Sequence, residues 1–155
     1  MKPIIAVIGG GNCTADETAL AEETGRLLAG EGAVLVCGGL GGVMEAVAKG
    51  AKANGGTTVG ILPGADPAVA NAYIDVALAT GLGEMRNFLI VRSAHALIAI
   101  GGGVGTLSEI ALAQRIGKPV VGLHDSFRNA VDIPRVQGAA EAVQWALQRA
   151  AKGVI

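Results

Sequence analysis

Residues 101–113, GGGVGTLSEIALA, are the segment whose composition most clearly suggests ligand binding or catalysis. Four glycines and Thr106 follow an apolar run, and a helix-patterned segment with one carboxylate, Glu109, comes next. The glycines would let a phosphate approach the backbone, because the start of a helix presents unpaired N–H groups and a partial positive charge. Thr106 would donate its hydroxyl, and Glu109 would face the same crevice about one turn further on. The segment therefore predicts a turn that binds the phosphate of a sugar phosphate.

Glu109 itself allows two interpretations. Beside a ribose, a carboxylate can stabilise an oxocarbenium-like centre or activate water, as carboxylates do in glycoside cleavage. Near the start of a helix, a carboxylate also complements the helix dipole, which contributes only about 0.3–1 kcal/mol. The spacing alone leaves both interpretations open.

The elements that must position this turn alternate along the chain. Short apolar runs predict strands at residues 3–8, 33–37, 58–62, 73–78, 96–100 and 119–123. Helical patterns predict helices at residues 14–30, 42–53, 83–93, 105–116 and 139–151, with a loop at 124–138. Continuous apolar runs indicate strands buried on both faces, as in a parallel sheet between two layers of helices. The sequence therefore predicts an α/β fold, a three-layer sandwich with a mainly parallel sheet.

Glycine clusters follow several of these strands directly. They begin at Gly9, Gly38 and Gly101, and their separations match βαβ units, so all three lie at one edge of the sheet. In open α/β sheets a ligand binds outside the carboxyl ends of the strands, where glycine turns leave backbone amides accessible. No G-x-G-x-x-G dinucleotide motif and no G-K-[ST] phosphate loop occurs, which argues against NAD and ATP enzymes of the usual kinds.

Composition narrows the classes of function. Lys and Arg number 12 against 13 Asp and Glu, so the net charge of -1 offers no broad basic surface for nucleic acid or an anionic membrane. Hydrophobic residues make up 51% and charged residues 16%, below the roughly 25% of soluble domains, which predicts a homo-oligomer, either dimer or tetramer. No membrane span, secretory signal or metal-ligand spacing is found, and Cys13 and Cys37 suit reduced thiols, so we expect a cytoplasmic protein without a bound metal.

Three motifs together resemble the LOG-like nucleotide-binding superfamily, whose members were once misnamed lysine decarboxylases. They are CGGLGGVMEAVAKGA at 37–51, TGLGEMRNFLIVRSA at 80–94 and AIGGGVGTLSEIALAQRIGKPVVGL at 99–123. Within the superfamily the chain is most similar to the DprA/Smf-related family 1 proteins, short Rossmann-like chains that include molybdenum cofactor carrier proteins. The resemblance implies a single Rossmann-like nucleotide-binding domain over residues 1–155, a length that suits one hydrophobic core.

The resemblance also implies roles for individual residues. LOG enzymes are cytokinin-activating phosphoribohydrolases, in which a PGGxGTxxE pattern binds phosphate and carries a catalytic glutamate, assisted by the arginine of an upstream R-K step. By resemblance, Glu109 and Arg86 take these places and are the catalytic residues if the chain is a hydrolase. The upstream G-G-x-x-G-x-M turn is matched at Gly38, Gly39, Gly42 and Met44. The candidate ligand-binding residues are Gly10, Gly11, Gly38, Gly39, Gly42, Met44, Arg86, Asn87, Gly102, Gly103, Gly105, Thr106 and Glu109.

Several positions depart from the LOG pattern. The chain has Gly101, Asn87, Glu45 and His95 where that pattern has proline, lysine, glycine and aspartate. These differences count against hydrolysis, whereas the glycines and the threonine of the phosphate turn are retained.

Three functions of different classes follow. The chain either binds or carries a phosphorylated nucleotide-like molecule, cleaves a nucleoside 5'-monophosphate, or senses a ligand as a regulatory module. The departures favour a binding or carrier protein, whereas retention of Arg86 and Glu109 favours a phosphoribohydrolase. The expected partner is a phosphorylated small molecule, either a nucleoside monophosphate or molybdenum cofactor, with no required cofactor, nucleic acid or membrane.

Overall fold

A single parallel sheet forms the centre of the protein. The computed structural model describes residues 1–153, so Val154 and Ile155, the last two residues of the predicted 1–155 domain, lie outside the described residues. The strands are β1 (Ile4–Gly9), β2 (Val34–Cys37), β3 (Thr57–Leu62), β4 (Val76–Ala79), β5 (Ala96–Gly101), β6 (Val120–Asp125) and β7 (Arg135–Val136). They are arranged in the order β4-β3-β2-β1-β5-β6-β7, and each neighbouring pair is parallel.

Helices cover both faces of this sheet. They are α1 (Ala15–Gly30), α2 (Val43–Ala53), α3 (Arg86–Ser93), α4 (Val104–Arg115) and α5 (Ala139–Lys152). One apolar core joins the sheet to α1, α2 and α5, and a second joins its opposite face to α3 and α4. The predicted α/β three-layer sandwich with a parallel sheet is therefore confirmed.

The strand order reverses direction between β1 and β5. From β1 the chain builds outward through β2, β3 and β4, and then returns to the other side of β1 to form β5. Both central strands are buried, β5 over its whole length, because helices cover them on both faces. In open α/β sheets such a reversal leaves a crevice at the carboxyl edge, since the loops after the two strands diverge.

The strand predicted at residues 73–78 begins later, at Val76. Tyr73 lies in a turn, where its N–H donates to the Asn71 side chain at 3.0 Å and its carbonyl accepts from the Thr58 hydroxyl at 2.6 Å. These local hydrogen bonds satisfy the Tyr73 backbone outside the sheet, so the apolar run overpredicted the strand.

The helix predicted at 83–93 is divided in two. A short 3₁₀ helix covers Gly83–Met85, and the α-helix begins only at Arg86. Gly83 has φ of 61°, a left-handed backbone conformation that does not fit a right-handed α-helix, so the α-helix cannot include Gly83. Arg86 consequently occupies the first turn of α3, beside the carboxyl edge of the sheet.

The prediction of a loop at residues 124–138 is wrong at both ends. Strand β6 continues to Asp125, and the two residues of β7 pair with it. Arg135 donates from Nε and Nη2 to the two Asp125 carboxylate oxygens, at 2.9 and 3.1 Å. A partly buried ion pair thus holds this edge strand, and hydrophobic patterning gives no sign of it.

From the sequence we expect no membrane span, no bound metal, and reduced thiols at Cys13 and Cys37. Within residues 1–153, no helix is long and apolar enough to cross a membrane. In the same part of the chain, no group of three or more His, Cys, Asp and Glu side chains is arranged to hold a metal ion. Cys13 and Cys37 are free cysteines. The expected cytoplasmic location stays a prediction.

Candidate functional site

A pocket of about 190 Å³ lies at the carboxyl edge of the sheet, where the strand order reverses. The turns after β1 and β2, the start of α3 and the first turns of α4 form its walls. It is lined by Val7, Ile8, Gly9, Gly10, Gly11, Gly38, Met44, Glu84, Arg86, Asn87, Ile90, Gly103, Gly105, Thr106 and Glu109. The pocket therefore lies at the edge where the glycine clusters predicted a ligand.

The N-terminus of α4 contributes backbone donors to this pocket. Its N-cap residue, Gly103, provides no side-chain cap, and Leu107 N–H donates to the Gly103 carbonyl at 3.0 Å. Of the two other helices that follow glycine turns, α1 is capped by the Thr14 side chain, whereas α2 has no side-chain cap and its Val43 N–H donates to the Gly10 carbonyl. The first turn of α4 lines the pocket without a side-chain cap, so its amides can donate to a bound anion.

Arg86 reaches the pocket from the first turn of α3 and is only 8% exposed. Its Nη1 donates to the carbonyl oxygens of Gly38 at 2.7 Å and Ile61 at 2.6 Å. Its Nε is buried and has no hydrogen-bond partner within the described residues. A Cβ at Gly38 would collide with the guanidinium and with the Met44 sulfur, so glycine is needed there. The arrangement fixes a cation whose recorded hydrogen bonds all come from Nη1, with Nε buried and unpaired.

Glu109 lies within the second turn of α4 and is only 7% exposed. Burial raises its pKa to about 8, against the positive charge of Arg86, which lowers it, while Glu84 raises it further. Glu109 and Arg86 do not form a direct ion pair. At neutral pH the carboxyl group is therefore mostly protonated and can donate a hydrogen bond.

The position of Glu109 argues against the helix-dipole interpretation. A carboxylate that stabilises a helix through its dipole lies in the first turn and keeps its charge. The first turn of α4 contains no acidic residue, and Glu109 is buried with a raised pKa. Its placement costs stability in the charged form, which is typical of functional carboxyl groups.

The structure brings most predicted ligand residues together. Those that line the pocket are Gly10, Gly11, Gly38, Met44, Arg86, Asn87, Gly103, Gly105, Thr106 and Glu109. Gly39, Gly42 and Gly102 do not line it. Gly42 packs against the Gly10 carbonyl, Gly39 against Leu62, and Gly102 against the Thr106 side chain, so these glycines allow close packing beside the pocket.

Some lining residues were missed by sequence analysis. Glu84 lies in the 3₁₀ helix just before α3, Ile90 lies within α3, and Val7, Ile8 and Gly9 come from the end of β1. Glu84 belongs to the quoted motif at 80–94, and that motif was the available signal. The others read as ordinary strand and helix core positions.

Cys37 lies at the end of β2 and is fully buried. Burial raises the pKa of its thiol to about 11, so the thiol stays protonated, and Sγ donates to the Met44 carbonyl at 3.7 Å. A protonated, enclosed thiol is not a nucleophile. Cys37 is therefore a packing residue in the core beside the pocket.

The fold and the site define a class of protein. A parallel sheet with a glycine-lined pocket at its point of strand reversal is typical of Rossmann-like α/β proteins. A family model described as the SLOG cluster4 family matches residues 2–151, and the chain belongs to this family.

Known relatives agree with this assignment. The molybdenum cofactor binding protein of Rippkaea orientalis is 37% identical, with a TM-score of 0.89 over 96% of this chain and 97% of that one. The molybdenum cofactor carrier protein of Chlamydomonas reinhardtii is 34% identical, with a TM-score of 0.87 over 97% and 99%. A cytokinin riboside 5'-monophosphate phosphoribohydrolase of Mycobacterium tuberculosis is 39% identical over 110 residues, which are 68% of this chain and 57% of the enzyme. The predicted resemblance to the LOG-like and DprA/Smf-related superfamily is confirmed.

The pKa of Glu109 predicts a pH dependence of stability. The group takes up its proton more readily in the folded protein, where its pKa is about 8, than in the unfolded chain, where it is near 4.5. Its stabilising contribution to the free energy of unfolding is therefore fully present below about pH 4.5 and is lost as the pH rises to about 8. The loss is on the order of a few kcal/mol. Glu109→Gln should remove this loss, so its melting temperature should exceed that of the wild type by more at about pH 8 than at about pH 5.

Thermal unfolding followed by circular dichroism across this range measures the effect. Glu141→Gln is the matched control, because it removes an exposed carboxylate in the first turn of α5, outside the pocket, and should keep the wild-type pH dependence. Parallel curves for wild type and Glu109→Gln would contradict the raised pKa.

Proposed function

We propose that the protein binds the phosphate end of a phosphorylated, nucleotide-like small molecule in the pocket at the carboxyl edge. The observation that carries this proposal is the presence of two sets of unused donors in one small cavity. They are the uncapped amides of α4 and the guanidinium of Arg86, which lines the cavity and whose buried Nε has no partner in the described residues. An unpaired buried donor costs about 1–3 kcal/mol, which the oxygen atoms of a bound phosphate would recover.

The size of the pocket limits which part of the ligand it holds. Its volume of about 190 Å³ lies below the roughly 300–1,000 Å³ of sites that enclose a whole drug-sized ligand. A phosphate and the ring beside it would fill the cavity, and the base or pterin would extend past the exposed Glu84 at its rim.

A carrier of molybdenum cofactor is the particular function that we favour. The pterin of that cofactor ends in a phosphate, and it would be bound as cargo, so that the protein needs no cofactor of its own. The two similar structures, described as molybdenum cofactor binding and carrier proteins, support this proposal over almost their whole length.

A phosphoribohydrolase is the second candidate. Arg86 and Glu109 line one pocket, as the resemblance to LOG enzymes implied, and the mycobacterial relative supports this alternative. A nucleoside 5'-monophosphate would place its ribose beside Glu109, and loss of the base would leave positive charge on the sugar. This reaction needs an ionised carboxylate, whereas burial favours the neutral form of Glu109.

Phosphate recognition predicts a ligand-dependent stabilisation. Adenosine 5'-monophosphate at about 100 times its dissociation constant should add about 2.7 kcal/mol to the free energy of unfolding, whereas adenosine should add much less. Thr106→Val should reduce the shift, because it removes a buried hydroxyl that lines the pocket. Thr24→Val, equally buried in α1 and outside the pocket lining, is the matched control. Thermal unfolding measures each shift, and equal shifts from nucleotide and nucleoside would exclude the phosphate site.

Release of free base separates the two candidates. A carrier should release no base and no ribose 5-phosphate from any nucleoside monophosphate. A hydrolase should release both, and Glu109→Gln should slow its release by roughly 100-fold or more while ligand binding is kept. Chromatography of reaction products from a panel of monophosphates measures this, with Glu141→Gln, an exposed carboxylate on α5 outside the pocket, as the control. Turnover that depends on Glu109 would overturn the carrier proposal.

An apolar groove beside the pocket supports the proposed homo-oligomer. It has a volume of about 830 Å³ between α3 and α4 and includes Leu82, Met85, Phe88, Leu89, Ala111 and Leu112. Met85 is 74% exposed, Leu82 47% and Phe88 40%, so the groove presents a patch of large apolar side chains. Glu84 and Arg115 also line it, Glu84 in the 3₁₀ helix just before α3 and Arg115 at the end of α4, at opposite edges of the sheet.

We propose that a second copy of the chain covers this groove. A two-fold axis across the groove would place Glu84 of each copy near Arg115 of the other, so the surface is complementary to itself in charge as well as apolar. Because Glu84 and Asn87 line both the groove and the pocket, the interface would border the ligand site. A dimer formed this way leaves α1, α2 and α5 for any further assembly to a tetramer.

Substitution of the groove should separate the copies. Wild type should sediment as a dimer or tetramer at micromolar concentration, and Phe88→Glu should dissociate this contact, because it buries a charge in an apolar interface. Val69→Glu changes another exposed apolar residue, in the short helix Pro67–Val69, and should leave assembly unchanged. A monomeric wild type, or a Phe88→Glu variant that assembles as the wild type does, would contradict the proposal.

A further inference from the structure

A second cleft lies at the edge of the sheet opposite to the candidate site. It has a volume of about 360 Å³ and is lined by His95, Ile116, Gly117, Lys118, Pro119, Arg149, Lys152 and Gly153. His95 comes just before β5, Lys118 just before β6, and Arg149 and Lys152 come from the last turn of α5. We call this the basic cleft, after His95, Lys118, Arg149 and Lys152.

The basic cleft holds positive charges that no described carboxylate balances. No Asp or Glu lines it, and in residues 1–153 none of its cations takes part in an ion pair. Elsewhere in the described chain, Arg26, Lys49, Lys52 and Arg135 each pair with a carboxylate. In a protein with a net charge of -1, the lining of this cleft therefore groups three Lys and Arg side chains and a histidine without a carboxylate.

A further cation, Arg92, lies near Lys118 although it does not line the cleft. Burial lowers the pKa of the Lys118 ammonium group, and the nearby positive charge of Arg92 lowers it further. Helix ends attract cations, and Arg92, Arg149 and Lys152 all lie in last turns. Each helix end supplies only about half a negative charge, so helix dipoles do not neutralise the group.

The cleft also offers hydrogen-bond donors without acceptors beside them. His95 Nδ1 accepts from Ile4 N–H at 2.9 Å, so the neutral ring carries its proton on Nε2. Lys118 Nζ donates to the Ala94 carbonyl, which leaves two of its three N–H groups. The Arg149 guanidinium lies 4.4 Å from the centre of the Trp145 ring, and this stacking leaves its edge for an oxyanion.

We propose that the basic cleft binds an anion with a diphosphate or triphosphate group. Three flexible or forked cationic side chains and a histidine donor suit several oxygens and several negative charges at once. The volume lies within the roughly 300–1,000 Å³ of small-molecule sites, which is enough for an oligophosphate chain. The site is separate from the pocket at the carboxyl edge and does not depend on the function proposed for it.

Trp145 provides a direct reporter, because it is the one tryptophan in the sequence and stacks on Arg149. Inorganic tripolyphosphate and adenosine triphosphate are titrated separately at low salt while tryptophan fluorescence is recorded. Both should give a saturable change that weakens as salt is added. Tighter binding of the inorganic anion would identify a free oligophosphate as the ligand, and tighter binding of the nucleotide would identify a nucleoside polyphosphate.

The matched variants keep Arg149 and therefore the reporter. Arg92→Gln with Lys152→Gln should weaken tripolyphosphate binding by roughly tenfold or more, since two cations are lost from this end of the fold. Arg26→Gln with Lys49→Gln makes the same change in net charge on α1 and α2 and should have little effect. Both double variants should keep the thermal shift caused by adenosine 5'-monophosphate, which tests the other pocket.

Three results would overturn the proposal. They are a wild type without a saturable response, equal weakening in the two double variants, and tighter binding of a single-stranded oligonucleotide than of tripolyphosphate. The last result would identify a nucleic-acid surface in place of a small-anion site. Circular dichroism confirms folding of each variant, and calorimetric titration provides a second measure of affinity that does not use the tryptophan.

Discussion

The buried guanidinium of Arg86 is the constraint on which the rest of the candidate site depends. A charge moved out of water needs hydrogen-bond partners, and here they are the carbonyl oxygens of Gly38, after β2, and Ile61, in β3. One side chain from α3 therefore holds the ends of β2 and β3 in place. The contact with Gly38 excludes a side chain there, so a glycine in the second turn is explained by the arginine as much as by any ligand. The result is a rigid cation with Nε still unpaired.

Glu109 shows how the pocket combines this cation with a carboxyl group. The two residues influence each other's pKa without direct contact, and for Glu109 the effect of burial exceeds the attraction of Arg86. A neutral Glu109 leaves the guanidinium and the α4 amides as the main electrostatic features, and both favour an anion. Binding of a phosphate would keep Glu109 protonated, because a second negative charge nearby raises the pKa of a carboxyl group. Ligand and proton would then be bound together.

Much of the fold could be predicted because continuous apolar runs indicate strands that are buried on both faces, and such strands are typical of a parallel sheet covered by helices. The common edge of the glycine turns followed from the strand spacing, and with it the place of the pocket. Hydrogen bonds and ion pairs between distant residues decided the rest. Strand β7 depends on the pairing of Arg135 with Asp125, and the turn at Tyr73 depends on Thr58, contacts that no local pattern reports. Glycines that open a pocket and glycines that let two turns pack, such as Gly42, are also alike in sequence.

The difference between carrying and cleaving a nucleotide-like ligand can be traced to the charge beside Glu109. The LOG pattern has a lysine after its arginine, whereas this chain has Asn87, whose buried amide donates to the Ser108 hydroxyl at 3.2 Å. A second cation at that position would lower the pKa of a nearby carboxyl group and favour its ionised form. With an uncharged amide in its place, Arg86 is the one positive residue that lowers the pKa of Glu109, and burial prevails. Stabilising an oxocarbenium-like centre needs the ionised carboxylate, whereas holding a phosphate beside Arg86 does not. Without this second positive charge, the same pocket could bind phosphate as proposed while cleavage is disfavoured, which is the physical reason to prefer a carrier.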